Sequence, residues 1–204
     1  MTVKVEFHFD FGSPNAYFCH RLIPAIEART GVSFDYVPIL LGGVFKLTNN
    51  QSPMAQFADV KNKNEYQRLE TQRFIRKHGL NAYVRNPNFP VNTIQLMRAA
   101  VALRQSEKFP DFIEAIFQQM WEQGQKMDDP EIFDAQLAAA GFDVAAITAQ
   151  IQDPAVKQAL MDLTAGSVAR GCFGAPSFFV NDEMFFGKDR LADVEEEIMA
   201  QKTR

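Results

Sequence analysis

Residues 8–22, "HFDFGSPNAYFCHRL", carry the chain from a strand into a helix. Over residues 3–9 apolar side chains alternate with polar ones, and this period of two predicts a strand. After a glycine turn, Ser13 offers a capping oxygen, and Pro14 fits the first position of a helix. We therefore predict a helix that begins at Pro14 and ends before Gly31.

Strand character returns in two further regions of the chain. Residues 32–41, "VSFDYVPILL", predict a second strand, and residues 175–180 and 183–187 predict two more near the carboxyl end. A helix over residues 189–201 follows them. Between these regions, apolar residues recur at spacings of three and four, as in helices. The predicted helices of this stretch span residues 64–78, 92–106, 110–124, 130–140, 143–151 and 154–170.

This order of elements, β-α-β, then many helices, then β-β-α, is the thioredoxin arrangement. The predicted fold class is therefore α/β, a thioredoxin-like fold with a large all-α insertion. We assign residues 1–60 and 172–204 to the thioredoxin-like domain and residues 61–171 to the helical insertion. Pro176 lies just ahead of the third strand, where proteins of this fold carry a cis-proline that faces the first helix.

Composition and charge narrow the possible function classes. The 204 residues carry a net charge of −4 without a block of Lys or Arg, so nucleic acid is not an expected partner. Charges interrupt the apolar residues near the N-terminus, which predicts neither a signal peptide nor a membrane helix and favours a cytoplasmic protein. Cys19 and Cys172 lie far apart, and the three histidines share no ligand spacing. We therefore expect no disulfide framework, no dithiol centre and no metal site.

Six segments, in this order around a thioredoxin frame, carry a family resemblance. They are "DFGSPNAY" at 10–17, "LLGGVFKLTNNQSP" at 40–53, "KNEYQRLETQR" at 63–73, "NPNFPVNTIQLMRA" at 86–99, "FGAPSFFV" at 173–180 and "FFGKDRL" at 185–191. The chain resembles the glutathione-dependent 2-hydroxychromene-2-carboxylate isomerases and the kappa-class glutathione transferases, on the DsbA-like branch of the thioredoxin superfamily. The resemblance implies glutathione as the cofactor, an aromatic carboxylate or another electrophile as the substrate, and a homodimer.

Ser13 stands where redox thioredoxins have a cysteine, and a serine cannot do redox chemistry there. The resemblance implies that its hydroxyl stabilises the thiolate of bound glutathione, with help from the positive end of the following helix. The simpler interpretation is that Ser13 only caps its helix, and both roles coexist only if the hydroxyl points outward. Asp10 is predicted to fix the loop that precedes Ser13.

The resemblance also assigns glutathione-binding residues. Ala175, before Pro176, is expected to pair its backbone with the cysteinyl part of glutathione, as an added strand would. Asp189, with Lys188 beside it, is expected to bind the γ-glutamyl group; the alternative, less favoured for Asp189, is that Asp189 only caps the final helix. Asn50 and Lys63 also match positions of the family. Lys63 is expected to pair with the glycine carboxylate of glutathione.

Four residues are candidates for binding the substrate. Phe45, Arg85 and Phe89 are predicted to lie on loops that close over an aromatic carboxylate. Asn92 is predicted to cap the helix that begins there.

Three functions remain open at this stage. The first is an isomerase in which a thiolate adds to a conjugated carbon, allows a bond to rotate, and leaves again. The second is a kappa-like transferase or peroxidase that uses the same cofactor site. The third is a non-catalytic binding protein of thioredoxin fold, which would need no glutathione.

Overall fold

A four-stranded mixed sheet forms the centre of the protein, whose computed structural model describes residues 3–203. Its strands are β1 (Val5–Phe9), β2 (Phe34–Pro38), β3 (Ser177–Val180) and β4 (Glu183–Phe186). They lie in the order β2-β1-β3-β4. β1 and β2 are parallel, whereas the other neighbours are antiparallel. The predicted thioredoxin-like α/β fold is confirmed by this sheet and its connections.

Within residues 3–203, ten α-helices surround the sheet. They are α1 (Pro14–Thr30), α2 (Leu41–Thr48), α3 (Pro53–Gln56), α4 (Lys63–His78), α5 (Ile94–Leu103), α6 (Phe109–Trp121), α7 (Pro130–Ala139), α8 (Val144–Gln152), α9 (Pro154–Ala169) and α10 (Leu191–Lys202). A 3-10 helix, Lys188–Arg190, leads into α10. Most helix ends therefore lie within three residues of the positions that periodicity predicts.

The predicted strand over residues 32–41 is too long, because β2 spans only Phe34–Pro38. The Ile39 N–H donates to the Phe9 carbonyl oxygen at 3.0 Å, but β1 ends at Phe9, so the chain has no further strand to pair with. The chain leaves the sheet, and α2 begins at Leu41, whose N–H donates to the Asp10 carboxylate at 2.7 Å. The end of its partner strand, rather than its own residue preference, limits β2.

The larger of two hydrophobic clusters in residues 3–203 joins the sheet to the helices between β2 and β3. The buried ring of Phe117 on α6 lies 5.8 Å from that of Phe9 and 4.9 Å from that of Phe11. Helices α5 and α9 also lie against β2. The division into residues 1–60 with 172–204 and residues 61–171 stays a prediction, and the terminal residues 1, 2 and 204 of that division lie outside the described residues.

Two features of the described chain bear on its setting. No helix in residues 3–203 is both long enough and apolar enough to cross a membrane. Cys19 and Cys172 are free and buried, as the sequence predicts for thiols that act as small apolar side chains.

Candidate active site

Ser13 caps α1 and reaches a second segment of the chain. Its backbone is extended, its Oγ accepts from the Ala16 N–H at 3.2 Å, and Pro14 follows at the first helical position. Its hydroxyl donates to the Ala175 carbonyl oxygen at 3.1 Å. The Ser13 hydroxyl oxygen thus accepts the capping hydrogen bond from Ala16, while its proton is donated to the Ala175 carbonyl oxygen. Capping and donation to a second group coexist at this residue.

The loop before β3 presents Ala175 to Ser13. The Ala175–Pro176 peptide bond is cis, and the Gly187 N–H donates to the Pro176 carbonyl oxygen at 3.0 Å. Gly174 lies so close to the ring of Phe186 that a Cβ added there would come within 2.8 Å of it. A side chain at 174 would therefore displace the Phe186 ring or the loop that carries Ala175.

Asp10 joins three segments that surround Ser13. Its buried carboxylate accepts from the Gly12 N–H at 2.8 Å and from the Leu41 N–H at 2.7 Å. Burial raises the pKa of this carboxyl, and the hydrogen bonds from Leu41, Gly12 and Thr93 oppose that rise. Thr93 at the start of α5 also packs on the loop, with its Cγ2 3.2 Å from a Cβ built at Gly12. The predicted role of Asp10 in fixing this loop is confirmed.

Asn50 lies beside the same loop as Ala175. α2 ends at Thr48, and the following residue, Asn49, adopts a left-handed backbone conformation. The next residue, Asn50, donates from its side-chain amide to the Phe173 carbonyl oxygen at 2.9 Å. The structure thus brings together Ser13, Asn50, Ala175 and Pro176 through one loop.

Lys188 and Asp189 have very different environments. Lys188 is only 8% exposed, and its Nζ lies 2.5 Å from Asp189 Oδ1 and 4.4 Å from the centre of the Phe74 ring on α4. The Asp189 side chain is 73% exposed. The ammonium of Lys188 is therefore engaged within the protein, whereas the carboxylate of Asp189 is accessible from solvent.

The candidate substrate residues are spread over two regions. Phe45 is half-buried on α2, so its predicted position on a loop is wrong. The chain forms this helix directly after the predicted second strand, where we expected a loop. Arg85 is exposed and Phe89 half-buried on the connection between α4 and α5, with the Phe89 ring 5.9 Å from that of Trp121. Asn92 is not the capping residue of α5, which is Thr93; Asn92 lies one residue earlier, and its Oδ1 accepts from the Ile94 N–H at 3.1 Å.

Lys63 lies at the start of α4, away from the loop contacts described above. It is exposed, and its Nζ lies 5.2 Å from the centre of the Phe57 ring. Within residues 3–203 no hydrogen bond joins Lys63 or Arg85 to the segments around Ser13 and Ala175.

Trp121 is a residue of this region that sequence reasoning missed. Its buried indole Nε1–H donates to the Phe11 carbonyl oxygen at 2.7 Å, two residues before Ser13. It is the single Trp in a chain with 19 Phe, which was the available signal, because a buried Trp usually finds a partner for its N–H.

A polar network fixes the helix that Ser13 starts. Arg21 and His20 on α1 both contact Glu114 on α6, at 2.7 and 2.9 Å, and Tyr17 donates to Glu122 at 2.9 Å. The hydrogen bond from His20, followed by that from Arg21, lowers the pKa of Glu114 to about 2. Glu114 is therefore ionised at neutral pH and holds α1 against α6.

The geometry around Ser13 suits an anion more than a cation. The first N–H groups of a helix carry partial positive charge, and α1 begins beside the Ser13 hydroxyl. Within the described part of the chain, no group of three or more His, Cys, Asp or Glu side chains is arranged to hold a metal ion. Ser13 is only 5% exposed and Ala175 is half-buried, so a hydroxyl donor at a helix start lies beside the backbone of the cis-proline loop, an arrangement that can hold a thiolate and the peptide that carries it once Ala175 is replaced as acceptor.

The sheet order, together with a cis-proline loop in contact with the start of α1, defines a thioredoxin-like protein. The model of the DSBA-like thioredoxin domain matches residues 4–199, and the chain belongs to that family.

Known proteins and solved structures show which thioredoxin-like proteins the chain is similar to. The chain is 26% identical over 193 residues to a 2-hydroxychromene-2-carboxylate isomerase of Sphingobium xenophagum, covering 94% of this chain and 95% of that protein. It is 23% identical over 210 residues to glutathione S-transferase kappa 1 of Caenorhabditis elegans, covering 92% and 87%. A solved structure of 2-hydroxychromene-2-carboxylate isomerase superposes with a TM-score of 0.83 at 24% identity, covering 98% and 96%. These proteins relate the chain to the isomerases and kappa-type transferases.

Proposed function

We propose that the protein is a glutathione-dependent isomerase of the 2-hydroxychromene-2-carboxylate type. The single observation that supports this most is the Ser13 hydroxyl, held at the start of α1 with its proton directed at the Ala175 carbonyl. Because the Ser13 oxygen accepts the capping hydrogen bond, its proton can be donated to a thiolate while the cap of α1 stays in place. The full-length likeness to named isomerases at 25–26% identity supports the reaction class.

Glutathione, when bound, would supply a sulfur nucleophile that adds reversibly to a conjugated carbon of the substrate. Ser13 donates a hydrogen bond from Oγ to the thiolate, and the N-terminal dipole of α1 favours the same charge. Both effects lower the free energy of the anion and so raise the thiolate fraction near neutral pH, since a free thiol has a pKa of about 8.5. Because the sulfur is an anion both before addition and after departure, Ser13 acts in both steps.

The residues around Ser13 fit the rest of the tripeptide. Ala175 presents backbone groups beside a cis-proline and can pair with the cysteinyl unit. Asp189 offers an exposed carboxylate to the γ-glutamyl ammonium, with Lys188 as its internal counter-ion. Asn50 supports the loop before Pro176, and Lys63 is free to pair with the glycine carboxylate.

The proposed substrate is a small aromatic carboxylate. Arg85 is exposed and can pair with its carboxylate, while Phe89 and Phe45 offer aromatic faces. Asn92 is exposed and lies next to Thr93, whose methyl group packs against Gly12 in the Ser13 loop. These four residues form the proposed substrate side of the site.

A kappa-like transferase or peroxidase is the second candidate. The likeness to the Caenorhabditis elegans kappa protein favours it specifically, because that protein is named for glutathione transfer. Both candidates use the same residues around the sulfur, and they differ in what happens to glutathione. In the isomerase it is released unchanged, whereas in the transferase it leaves with the product.

Two measurements test these candidates. Calorimetric titration with glutathione should show binding; no heat at millimolar concentration would favour a non-catalytic binding protein instead. Incubation with 2-hydroxychromene-2-carboxylate and, separately, with a chloro-dinitro arene then separates the enzymes. Conversion of the chromene without net loss of glutathione supports the isomerase, and conjugation of the arene alone supports the transferase.

We also propose that the protein acts in the cytoplasm as a homodimer without nucleic acid or membrane partners. Two free, buried cysteines fit a reducing compartment. Light scattering coupled to size exclusion measures the dimer, and fractionation of the host cell measures the compartment.

A further inference from the structure

Four consecutive carbonyl oxygens of the loop before β3 all accept hydrogen bonds. The pairs of carbonyl and donor are Phe173 with Asn50, Gly174 with Ser177, Ala175 with Ser13, and Pro176 with Gly187. The backbone N–H of Ala175, in contrast, has no hydrogen-bond partner within residues 3–203. The loop therefore keeps an unpaired donor at the residue that contacts Ser13, and the bond from Ser177 decides where that donor points.

Ser177 is a fully buried serine at the first position of β3. Its hydroxyl donates to the Gly174 carbonyl oxygen at 2.9 Å. The buried thiol of Cys172 lies behind this bond, with Sγ 3.1 Å from the same oxygen and 3.4 Å from Ser177 Oγ. A thiol has one proton and is a weak donor, so the hydroxyl of Ser177 is the stronger of the two donors to Gly174. Because both side chains are buried, water does not compete for this carbonyl.

The side chain of Ser177 lies on the face of the sheet opposite to α1. Ser177 pairs with His8 on β1, and directly paired residues of antiparallel strands place their side chains on one face. Phe7, the residue before His8, points to the other face, where its ring lies 4.9 Å from that of Tyr36. His20 on α1 contacts the Tyr36 hydroxyl at 2.9 Å, which places α1 on that second face. Ser177 therefore draws the loop carbonyl away from α1.

The direction of the Gly174 carbonyl sets the direction of the Ala175 N–H. Both groups belong to one planar trans peptide unit, in which C=O and N–H point in opposite directions. With the oxygen held toward Ser177, the N–H points to the side of the loop on which α1 begins. A residue before proline also favours an extended backbone, whose own N–H and C=O face the same side. The Ala175 carbonyl faces Ser13, so both arguments direct its N–H toward the candidate active site.

We propose that Ser177 is a positioning residue for glutathione, which holds the Gly174–Ala175 peptide so that the Ala175 N–H donates to the cysteinyl carbonyl of the tripeptide. This role rests on the proposed function, in which Ala175 pairs with the cysteinyl unit. Ser177 is buried beneath the loop and does not itself contact glutathione. Without its hydroxyl, the peptide unit loses its main internal bond and can rotate, which turns the Ala175 N–H away from the ligand. Ser177 thus acts on binding of the peptide, whereas Ser13 acts on the thiolate.

Ser177→Ala should weaken glutathione binding about tenfold, the usual effect of losing one hydrogen bond to the ligand. Its kcat at saturating glutathione should stay within about twofold of the wild type, because the interaction is the same in the ground state and the transition state. Ser177→Thr keeps the hydroxyl and should restore the affinity. S-methylglutathione has the peptide but no thiolate, so calorimetry should show the same tenfold loss for Ser177→Ala and wild-type affinity for Ser13→Ala. In ¹⁵N-labelled protein, saturating glutathione should move the Ala175 amide proton downfield, and less so in Ser177→Ala.

Ser167→Ala is the matched control, because Ser167 is equally buried but makes no contact with Gly174. Its Oγ lies 2.8 Å from Nδ1 of His8, whose imidazole is neutral because burial lowers its pKa to about 4, so the variant leaves no buried charge unpaired. This variant should bind glutathione like the wild type. The role of Ser177 is overturned if the wild type binds glutathione and Ser177→Ala binds it equally well, if Ser167→Ala weakens binding as much, or if Ser177→Thr fails to restore it. Absence of binding to the wild type would instead contradict the proposed function, and the role of Ser177 with it.

Discussion

The Ser13 hydroxyl donates to the Ala175 carbonyl oxygen at 3.1 Å, across a separation of 162 residues. This bond joins the start of α1 to the cis-proline loop, the two segments that would hold the sulfur and its peptide. The same hydroxyl oxygen accepts the cap of α1 from Ala16. A thiolate that replaces Ala175 as the acceptor leaves the cap in place, so binding would not destabilise the helix.

Ser13→Ala should lower kcat about 100-fold, the usual effect of removing one donor to a developing anion. The KM for glutathione should change little, because the backbone at Ala175 and the charge at Asp189 remain. The variant should also lose about 1 kcal/mol of stability with its cap. Steady-state kinetics and urea unfolding measure the two effects.

Asp143→Ala is the matched control for that variant. Asp143 caps α8 with the same spacing, its Oδ1 accepting from the Ala146 N–H at 3.0 Å. It should lose a similar amount of stability and keep full activity. Equal kcat for Ser13→Ala and the wild type would remove Ser13 from the mechanism.

Lys188→Met tests whether this lysine binds glutathione directly. Its ammonium is already bound by Asp189 and Phe74, so we expect the variant to bind glutathione at least as tightly as the wild type. Asp189→Asn should weaken binding about tenfold, since it removes the charge proposed to meet the γ-glutamyl ammonium.

Calorimetry measures both affinities. Asp193→Asn serves as the control, because it removes another carboxylate of the same segment, one that pairs with Arg190. If Lys188→Met alone weakened glutathione binding, the lysine would have to turn outward to the ligand.

The sequence predicted those features that depend on local residue patterns. The alternation over residues 3–9 and the Ser13-Pro14 pair gave β1 and the start of α1, because strand period and helix capping act between near neighbours. The family resemblance supplied the candidate site residues, whereas the contact of Ser13 with Ala175 required the folded chain.

Features set by distant partners were not predictable in the same way. Residues 39–41 are apolar enough for a strand, but β1 offers no partner beyond Phe9. Lys188 looks like a surface lysine in sequence, yet Phe74, more than a hundred residues earlier, supplies the ring that covers it. In both cases tertiary contacts override local preference.

His8 should make the protein lose stability as the pH falls below 6.5. The folded state keeps a pKa of about 4 for His8, whereas the unfolded chain takes up a proton near 6.5. Between these values the unfolded state binds more protons, so the free energy of unfolding falls with falling pH. This loss in the free energy of unfolding is absent above pH 6.5 and reaches about 2 kcal/mol by about pH 5.

His8→Gln keeps a hydrogen-bonding group beside Ser167 but cannot titrate in this range. Urea unfolding at several pH values should show a flatter pH dependence for this variant than for the wild type. His78→Gln, at a less buried histidine, is the control and should retain most of the wild-type slope. Parallel curves for His8→Gln and the wild type would contradict the prediction.

Trp121→Phe should alter the chemistry at Ser13 as well as the stability of the fold. The variant leaves the buried Phe11 carbonyl without its donor, which should cost about 2 kcal/mol. Because Phe11 lies two residues before Ser13, release of this carbonyl should also let the Ser13 hydroxyl drift from the thiolate. The pKa of bound glutathione, followed by its thiolate absorbance, should then rise toward that of the free thiol. Phe112→Leu is the control, because the Phe112 ring contacts the Phe11 ring and makes no hydrogen bond to the Phe11 backbone. This variant should lower stability but leave the pKa of bound glutathione unchanged. An equal shift in the two variants would assign Trp121 to core packing alone.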